Sequence, residues 1–345
     1  MPTPMTSAPR GVADGPECVV ALDVGGTCMK GALLDRALRP LHTVRRATPR
    51  RSGPEAVVEE VAAVLRALDG HAAGRTLAVR GAGVVVPGIV DEETRTAVHS
   101  VNLGWRDLPL GALLEEATGL HVALGHDVRA GGAAEGRLGA ARGVRDAWFV
   151  PVGTGIAAAL LCDGRALRAG GYAGELGHVV VDPGGAPCAC GGRGCLEGVA
   201  SAAAVAAAYE ARTGRATGGA AEVAAAVVAG DPDARVVWDR AVEALASALA
   251  TAATLLAPEV VVVGGGLAES GGLLLDPLRA ALARRLSFQR RPRVVRAALG
   301  DRAGCLGAGL AAWDAADGAA SATPGGTTTP RTDDTPASLY SQAAS

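Results

Sequence analysis

The sequence has 345 residues and is 49% hydrophobic, which favours two domains with buried cores over one ordinary core. Its 33 Lys and Arg residues nearly balance its 35 Asp and Glu residues, so we expect no nucleic-acid partner and no polybasic membrane patch. Aromatic residues make up only 3%, so Val, Leu and Ala must fill the cores.

The two ends of the sequence carry little pattern. Residues 1–17 are rich in Pro, Ser and Gly and lack the apolar region of a secretory signal, so we expect a flexible leader and a cytoplasmic protein. Residues 315–345 have almost no periodic apolar residue and are predicted to form a disordered tail. The longest apolar stretch, residues 244–257, ends at Pro258 and is too short to span a bilayer, so we expect no membrane partner.

Between these ends, apolar strands alternate with helices, which predicts sheets covered by helices. The helix at residues 55–68 shows the pattern best, because Pro54 opens it, Gly70 closes it and its apolar residues share one face. The predicted elements, in chain order, are a strand at 18–22, a helix at 55–68, strands at 77–86 and 148–152, a helix at 234–256 and a strand at 260–263.

One stretch of the sequence echoes another. Leu22–Asp35 aligns without gaps on Val150–Asp163, and each reads as a strand, a glycine-rich turn, a second strand and an Asp. This repetition predicts a duplicated α/β domain. The alternative is coincidence, because glycine-rich turns are common in a chain with 49 Gly residues.

Three glycine-rich turns each follow an apolar strand. Backbone N–H groups in such turns can approach phosphate oxygens because no Cβ intervenes. Asp23, at the end of the first strand, could hold Mg²⁺ directly or through water, and the hydroxyls of Thr27 and Thr154 could donate to phosphates. The turn at residues 264–266 could let an adenosine lie against the backbone. The turns match neither the P-loop nor the dinucleotide-binding fingerprint.

Four candidate metal ligands lie close together in the sequence. His178 is followed by Cys188, Cys190 and Cys195, separated by Gly and Pro residues. This is the ligand set of a closed, tetrahedral zinc site, in which the metal stabilises the fold and is not itself catalytic. The alternative is a set of small buried cysteines, and a disulfide is disfavoured in a reducing compartment.

Polar residues around this cluster could bind the hydroxyl groups of a sugar. Glu175 and Glu197 flank the cluster, Asn102 follows a strand region rich in Gly and Pro, and Asp127 follows a short apolar run. Carboxylates and amides accept directional hydrogen bonds from hydroxyl groups, which suits a polyol. As isolated residues, Glu175, Glu197 and Asn102 would more often be solvated loop groups than ligands.

Taken together, these segments resemble the ROK family of sugar kinases and repressors. The resemblance covers about residues 18–314 and is carried by LDVGGTCMKGALLD, VVVPGIVDEETRTAVHSVNLGWRDLPL, FVPVGTGIAAALL, GYAGELGHVVVDPGGAPCACGGRGCLEGVAS and VVVVGGGLAESGGLL. It implies a duplicated actin-like, ribonuclease-H-like ATPase fold of the α/β class, with two domains flanking a cleft. The implied parts are a smaller domain at 18–125, a larger domain with the zinc loop at 126–300 and a C-terminal helix at 301–314 that returns to the first domain.

The resemblance also implies a role for each matching position. Asp127 would be the general base that takes the proton from the sugar hydroxyl attacking the γ-phosphate of ATP. The implied sugar-binding residues are Asn102, His126, Asp127, Glu175, His178 and Glu197. The implied nucleotide-binding residues are Asp23, Gly25, Gly26, Thr27, Lys30, Gly153, Thr154, Gly155, Gly264, Gly265 and Gly266. His178 would bind Zn²⁺ through one ring nitrogen and the sugar through the other.

The sequence departs from the family pattern at His126, where the family usually has Asn. That Asn normally helps to read the sugar hydroxyls, and an imidazole bonds in other directions, so the departure leaves the sugar open. Glucose is the first candidate, and N-acetylmannosamine or N-acetylglucosamine is the next. The resemblance thus implies an ATP- and Mg²⁺-dependent sugar kinase with a structural zinc ion, which we expect to be a homodimer or homotetramer.

Two functions of another class remain. A sugar-binding transcriptional regulator of this family carries a helix-turn-helix domain before the first phosphate turn, and about 20 residues before Asp23 are too few for one. A catalytically weak sugar sensor is the other alternative. Asp127 and the three intact glycine turns argue against it, and His126 argues mildly for it.

Overall fold

The structure of the protein, a computed structural model, describes residues 15–321 and the side chains of residues 15–318. Most of the predicted leader (residues 1–14) and of the predicted tail (residues 322–345) lies outside the described residues. The strands and helices of residues 15–126 are β1 (Glu17–Val24), β2 (Cys28–Leu34), β3 (Pro40–Ala47), α1 (Pro54–Ala73), β4 (Ala78–Val86), β5 (Ile89–Asp91), β6 (Thr96–Ser100), β7 (Trp105–Leu108), α2 (Leu110–Thr118) and β8 (Val122–His126).

The second half begins with the helix that follows β8 directly. The elements of residues 127–321 are α3 (Asp127–Leu138), β9 (Ala147–Pro151), β10 (Ala159–Cys162), β11 (Arg165–Ala166), α4 (Glu197–Ala200), α5 (Ala202–Thr213), α6 (Ala220–Val228), α7 (Pro232–Leu256), β12 (Val260–Gly264), α8 (Gly272–Arg285), β13 (Arg293–Arg296) and α9 (Ala303–Ser321). Short 3-10 turns lie at Arg50–Ser52, Ala169–Gly171, Leu176–His178, Gly266–Ser270 and Gly300–Arg302.

Two five-stranded sheets within residues 15–321 share one topology. Their strand orders are β3-β2-β1-β4-β8 and β11-β10-β9-β12-β13. In each sheet an antiparallel hairpin and its neighbouring strand are followed by two strands that pair in parallel. The echoing segments, Leu22–Asp35 and Val150–Asp163, each begin in the central strand and end just after its antiparallel neighbour. This correspondence confirms the predicted duplication and the predicted α/β fold class.

The helices α3 and α9 lie between the two sheets and pack against each other. Helix α9 covers one face of the first sheet, and α3 packs on β9 and β10 of the second sheet. Glycines permit this close approach, because a Cβ at Gly132 would overlap the side chain of Ala159 and one at Gly83 would overlap the carbonyl group of Ala308. The layer places the first turn of each helix at the edge where β1, β8 and β9 end.

Helices α1 and α2 cover the other face of the first sheet, and the helices from α5 to α8 cover the outer face of the second. These two apolar clusters are built mainly from Val, Leu and Ala, as the composition predicts. The predicted domain boundary between residues 125 and 126 falls before the last residue of β8, and α3 begins at the residue after that strand. Nothing in residues 15–321 forms a helix with the length and hydrophobicity that a membrane crossing requires.

Two predicted boundaries of helices differ from the structure. Helix α1 does not close at Gly70 but continues to Ala73, where the N–H of Gly74 caps it by donating to the carbonyl group of Gly70. A glycine inside a helix is tolerated when the buried face on either side still packs, as Leu68 and Ala72 do here.

Helix α9 does not end at residue 314 but at Ser321, so the first seven residues of the predicted tail are helical. The indole of Trp313 is buried and donates to the carbonyl oxygen of Asp35 at 3.1 Å. Arg36 forms an ion pair with Asp317 one turn later, at 2.8 Å. These contacts with the loop after β2 hold the last turns against the first sheet, and the polar sequence alone does not reveal them.

Candidate active site

The first glycine-rich turn connects β1 to β2 and is closed by backbone hydrogen bonds. The N–H of Gly25 donates to the carbonyl oxygen of Cys28 at 3.1 Å, and a Cβ at Gly25 would lie 2.9 Å from that oxygen. Thr48 braces the turn from β3, because its hydroxyl donates to Gly25 O at 2.6 Å and its N–H donates to Thr27 O at 3.0 Å. Sequence reasoning missed Thr48, since nothing local marks a residue that acts on a turn 20 residues away.

The charged groups of Asp23, Lys30 and Asp127 interact near the end of β1. The Lys30 ammonium lies 3.8 Å from the Asp23 carboxylate and donates to the carbonyl oxygen of Asp301 at 3.0 Å. Burial and the negative charge of Asp127 raise the pKa of Asp23 to about 7, and Lys30 opposes the shift only in part. A pocket in which two carboxylates repel each other in this way favours a bound cation.

Asp127 is the first residue of α3 and follows the end of β8. Its Oδ1 accepts a hydrogen bond from the N–H of Val128 at 2.7 Å and lies 3.5 Å from His126 Nε2. The side chain is 28% exposed, so it can reach a substrate while its position is held by the helix. A carboxylate at a helix N-terminus is also stabilised by the helix dipole.

His126 is buried and caps α3. Its Nδ1 accepts a hydrogen bond from the N–H of Arg129 at 3.3 Å, and burial lowers the pKa of the imidazole. A neutral ring that accepts at Nδ1 carries its proton on Nε2, which faces Asp127. The sequence predicts a sugar-binding role for His126, and the structure adds a helix-capping role.

The second glycine-rich turn connects β9 to β10 and lies against Glu197. The Glu197 carboxylate accepts a hydrogen bond from the N–H of Ile156 at 2.9 Å, and a Cβ at Gly155 would lie 2.6 Å from it. Within the turn, the N–H of Gly153 donates to the carbonyl oxygen of Gly155 at 3.0 Å. Thr154 is exposed at its tip. The Glu197 carboxylate thus contacts one side of the turn, and the tip of the turn at Thr154 stays accessible to a ligand.

The third turn, after β12, packs directly on the second. The N–H of Val152 donates to the carbonyl oxygen of Gly264 at 2.9 Å, and Gly265 adopts a φ of 77° that brings its Cα against the Val152 backbone. A side chain at Gly265 would overlap that backbone. The predicted nucleotide-binding turns at residues 153–155 and 264–266 therefore form one continuous surface.

The candidate sugar-binding residues approach these turns from both halves of the chain. Asn102 lies beside the first turn, because a Cβ at Gly26 would be 3.9 Å from the Cβ of Asn102. Glu175 lies 3.8 Å from His178 Nε2, and its charge acts on the His126 ring. The structure thus brings Glu175 into the neighbourhood of Asp127, the predicted base.

The four predicted metal ligands converge. One ligand atom from each of His178, Cys188, Cys190 and Cys195 lies within 4.8 Å of the others. His178 Nδ1 is 3.8 Å from the Cys188 sulfur, and the Cys190 and Cys195 sulfurs are 3.7 Å apart. Three thiols and one imidazole form a donor set that fits Zn²⁺ in a tetrahedral site.

The backbone of this loop is folded tightly around the ligands. Strand-like bridges pair Val180 with Cys195 and Pro187 with Arg193. Gly194 adopts a φ of 68° and lies so close to the carbonyl oxygen of Asp182 that a Cβ would overlap it. A hydrogen bond from the N–H of Gly192 lowers the pKa of the Cys190 thiol, which favours the thiolate form that binds metals.

Several known proteins are similar to this chain over most of its length. A ROK family glucokinase from Streptomyces griseus, solved with glucose and AMPPNP, superimposes with a TM-score of 0.75 at 29% identity, over 86% of this chain and 99% of that one. A glucokinase of Halalkalibacterium halodurans is 34% identical over 84% of this chain and 93% of its own length. An N-acetylmannosamine kinase of Salmonella typhi is 33% identical over 76% of this chain and 87% of its own length. The ROK family profile matches residues 19–315, and the chain therefore belongs to the ROK family.

Proposed function

We propose that the protein transfers the γ-phosphoryl group of ATP to a hydroxyl group of a hexose, with glucose as the first candidate. The observation that carries this proposal is the position of Asp127, a partly exposed carboxylate between the first phosphate turn and the Glu175 segment. The glucose- and AMPPNP-bound ROK glucokinase and the glucokinase relatives support the same reaction.

In this reaction Asp127 accepts the proton of the attacking sugar hydroxyl through a carboxylate oxygen. Asn102, Glu175, Glu197 and His178 Nε2 bind the remaining hydroxyl groups, and the His126 Nε2 proton is available to one of them. In the turns at residues 25–27 and 153–155, the N–H groups of Gly26, Thr27, Thr154 and Gly155 hold the phosphates, and the turn at 264–266 holds the adenosine. A positioned general base contributes about 10²–10⁴-fold to such a transfer.

Two metal ions belong to this proposal. Asp23 would hold Mg²⁺ directly or through water, which supplies charge neutralisation to the phosphates. His178, Cys188, Cys190 and Cys195 would hold a structural Zn²⁺. With Nδ1 of His178 directed at the thiols, its Nε2 stays on the side of Glu175, so the metal would fix the ring for sugar binding.

A second candidate substrate is an N-acetylhexosamine, since an N-acetylmannosamine kinase is similar over most of the chain. His126 also favours testing an N-acetylhexosamine, because its Nε2–H could donate to a different sugar oxygen from the one that the family's usual Asn contacts. A sugar-binding regulator without turnover is the alternative of another class. The cytoplasmic location and the homodimer or homotetramer expected above are proposals as well, to be tested by cell fractionation and light scattering.

The experiment is a kinase assay over hexoses and hexosamines with the wild type and Asp127→Asn. We expect Asp127→Asn to lose at least about 10²-fold in kcat while still binding the sugar in calorimetry. Asp239→Asn, an exposed carboxylate on α7, is the matched control and should keep wild-type turnover. A wild type that binds a sugar but transfers no phosphoryl group would replace the kinase proposal with the regulator.

A further inference from the structure

A buried arginine lies two residues after the predicted base. The Arg129 side chain on α3 is 3% exposed, and its guanidinium donates in three directions. Its Nε donates to the Glu92 carboxylate at 2.9 Å, its Nη1 to the carbonyl oxygen of Gly171 at 3.0 Å and its Nη2 to that of Val90 at 3.0 Å. A planar guanidinium paired on several sides has one orientation and cannot be replaced by a point charge without losing bonds.

The partners of Arg129 come from both halves of the chain. Val90 and Glu92 belong to β5 and the turn that follows it, whereas Gly171 lies in the short turn that leads to Glu175. The backbones meet directly, because a Cβ at Gly171, which has a φ of 94°, would lie 2.5 Å from the carbonyl oxygen of Val90. Glycine is required at this position for both reasons.

The Glu92 carboxylate joins a second arginine to the same group. Its Oε2 accepts from Arg168 Nε at 2.8 Å, while its Oε1 accepts from Arg129. The side chain of Arg168 is 60% exposed, and that of Glu92 is 16% exposed. Screening by solvent makes the outer pair weak, so the inner bond between Glu92 and Arg129 determines the geometry.

The backbone of Arg129 contacts the first turn of α3, which carries Asp127. Its backbone N–H donates to His126 Nδ1, and Asp127 lies between these two residues in the first turn of α3. The side chain and the backbone of one residue therefore join the β5 turn, the segment before Glu175 and the helix start that carries Asp127.

We propose that Arg129 and Glu92 form a positioning pair that holds Asp127 and Glu175 in register across the two halves of the chain. The role in catalysis rests on the kinase function proposed above. The pair touches no substrate and acts through the first turn of α3 and the turn at Ala169–Gly171. Without it, both carboxylates lose their fixed separation, and a misplacement of about 1 Å in a reacting group can cost about 10²-fold in rate.

The kinetic test compares Arg129→Gln, Arg129→Lys and Glu92→Gln with the control Arg168→Gln. We expect Arg129→Gln to lower kcat by about 10²-fold with a small change in the KM for ATP. Arg129→Lys keeps the positive charge but cannot form all three hydrogen bonds at once, so its kcat should lie between those of Arg129→Gln and the wild type. The kcat of the control Arg168→Gln should stay within about 2-fold of the wild type. Wild-type kcat in both Arg129→Gln and Glu92→Gln would overturn the proposal, as would a loss that only matches the fraction of unfolded protein.

A second measurement does not depend on turnover. Hydrogen exchange in the full chain should become faster in Glu92→Gln and Arg129→Lys at both residues 126–130 and residues 169–172, because the pair holds both segments. Unchanged exchange in either segment would overturn the pair even in an active enzyme. If the wild type phosphorylates no sugar while hydrogen exchange becomes faster in both segments of the variants, the kinase proposal is wrong and the positioning role of Arg129 and Glu92 is confirmed.

Discussion

At the scale of single residues, His126 does two jobs that an Asn would do differently. It caps α3 through Nδ1 and presents an N–H donor on Nε2 toward Asp127. An Asn side chain can cap the helix with its carbonyl oxygen and still offer two N–H donors, but from a shorter side chain. If position 126 contacts the sugar as proposed, His126 changes the donor that the sugar meets there without removing the helix cap.

Substitutions of His126 distinguish its role in capping α3 from its proposed role as a donor to the sugar. His126→Asn should keep the free energy of unfolding within about 1 kcal/mol of the wild type because the cap survives, whereas His126→Ala should lose about 1 kcal/mol more. If Nε2 contacts the substrate, His126→Asn should also change the ratio of kcat/KM between glucose and the N-acetylhexosamines. Urea unfolding and a sugar panel measure the two effects. A sugar preference identical to that of the wild type would mean that His126 serves the helix alone.

Asp23 gives a pH dependence whose sign can be worked out. Its pKa is about 7 in the folded protein and ordinarily 3.8, so between these values the folded state holds the proton more tightly than the unfolded chain. Stability from this group is therefore fully present below pH 3.8, falls as pH rises toward 7 and stays constant above it. At about 1.4 kcal/mol per pKa unit, the whole change is on the order of 4 kcal/mol.

The variant Asp23→Asn removes this dependence. Its free energy of unfolding, relative to that of the wild type, should increase from about pH 4 to pH 7 and then level off, since the wild type alone loses stability there. Denaturant unfolding at several pH values without nucleotide or divalent cation measures the difference. A difference between the two proteins that does not vary with pH would show that Asp23 is ionised throughout this range.

At the scale of elements, the loop from Glu175 to Glu197 has little regular structure of its own. It contains one 3-10 turn and isolated bridges, and Cys190 and the glycines at 184, 191 and 192 are exposed. The buried side chains of Leu176 and Leu196 anchor the two ends of the loop, but no residue between 182 and 193 is buried, so apolar packing does not fix its middle. A metal bound to four ligands would supply the missing constraint, since structural zinc contributes directly to folding.

Removing one ligand tests this dependence. Cys190→Ser should lower the zinc content from about one ion per chain and raise the KM for the sugar more than the KM for ATP, because the loop carries the proposed sugar-binding residues. The half-buried Cys162 on β10 lies outside the cluster, and Cys162→Ser is the matched control. Metal analysis and steady-state kinetics measure the outcome. Full sugar affinity in a zinc-free Cys190→Ser protein would separate the cluster from the sugar pocket.

At the scale of the whole molecule, the duplication and the convergence of the four candidate metal ligands could be predicted because each depends on residues close in sequence. The turns around Asp23 and Thr154 follow apolar strands directly, and the four zinc ligands lie within one loop. The Thr48 brace and the contacts of Arg129 could not be predicted, because their partners are distant in sequence and bond through backbone carbonyl groups, which every residue has. The helical extension of α9 depends in the same way on Asp35 and Arg36.

The proposed site residues come from both halves of the chain, and this division predicts closure on binding. Asn102 approaches from the first half and Glu175 and Glu197 from the second, so a sugar that bonds all three binds best when the halves are close together. A ligand shifts a conformational equilibrium only by its difference in affinity for the two states, and contacts available in one state supply that difference. Closure would also exclude water from the phosphates and limit hydrolysis of ATP without sugar.

Small-angle scattering with and without saturating sugar measures this closure as a decrease in the radius of gyration. Asp127→Asn should close like the wild type, because an amide still bonds to a hydroxyl group although it cannot take the proton. Asn102→Ala should close less, since it removes the contact from the first half while the second half still binds the sugar. Calorimetry should first show that the wild type is saturated with sugar. An unchanged radius of gyration in that protein would mean that the two halves already have their catalytic separation. The sugar itself would then exclude water from a rigid site.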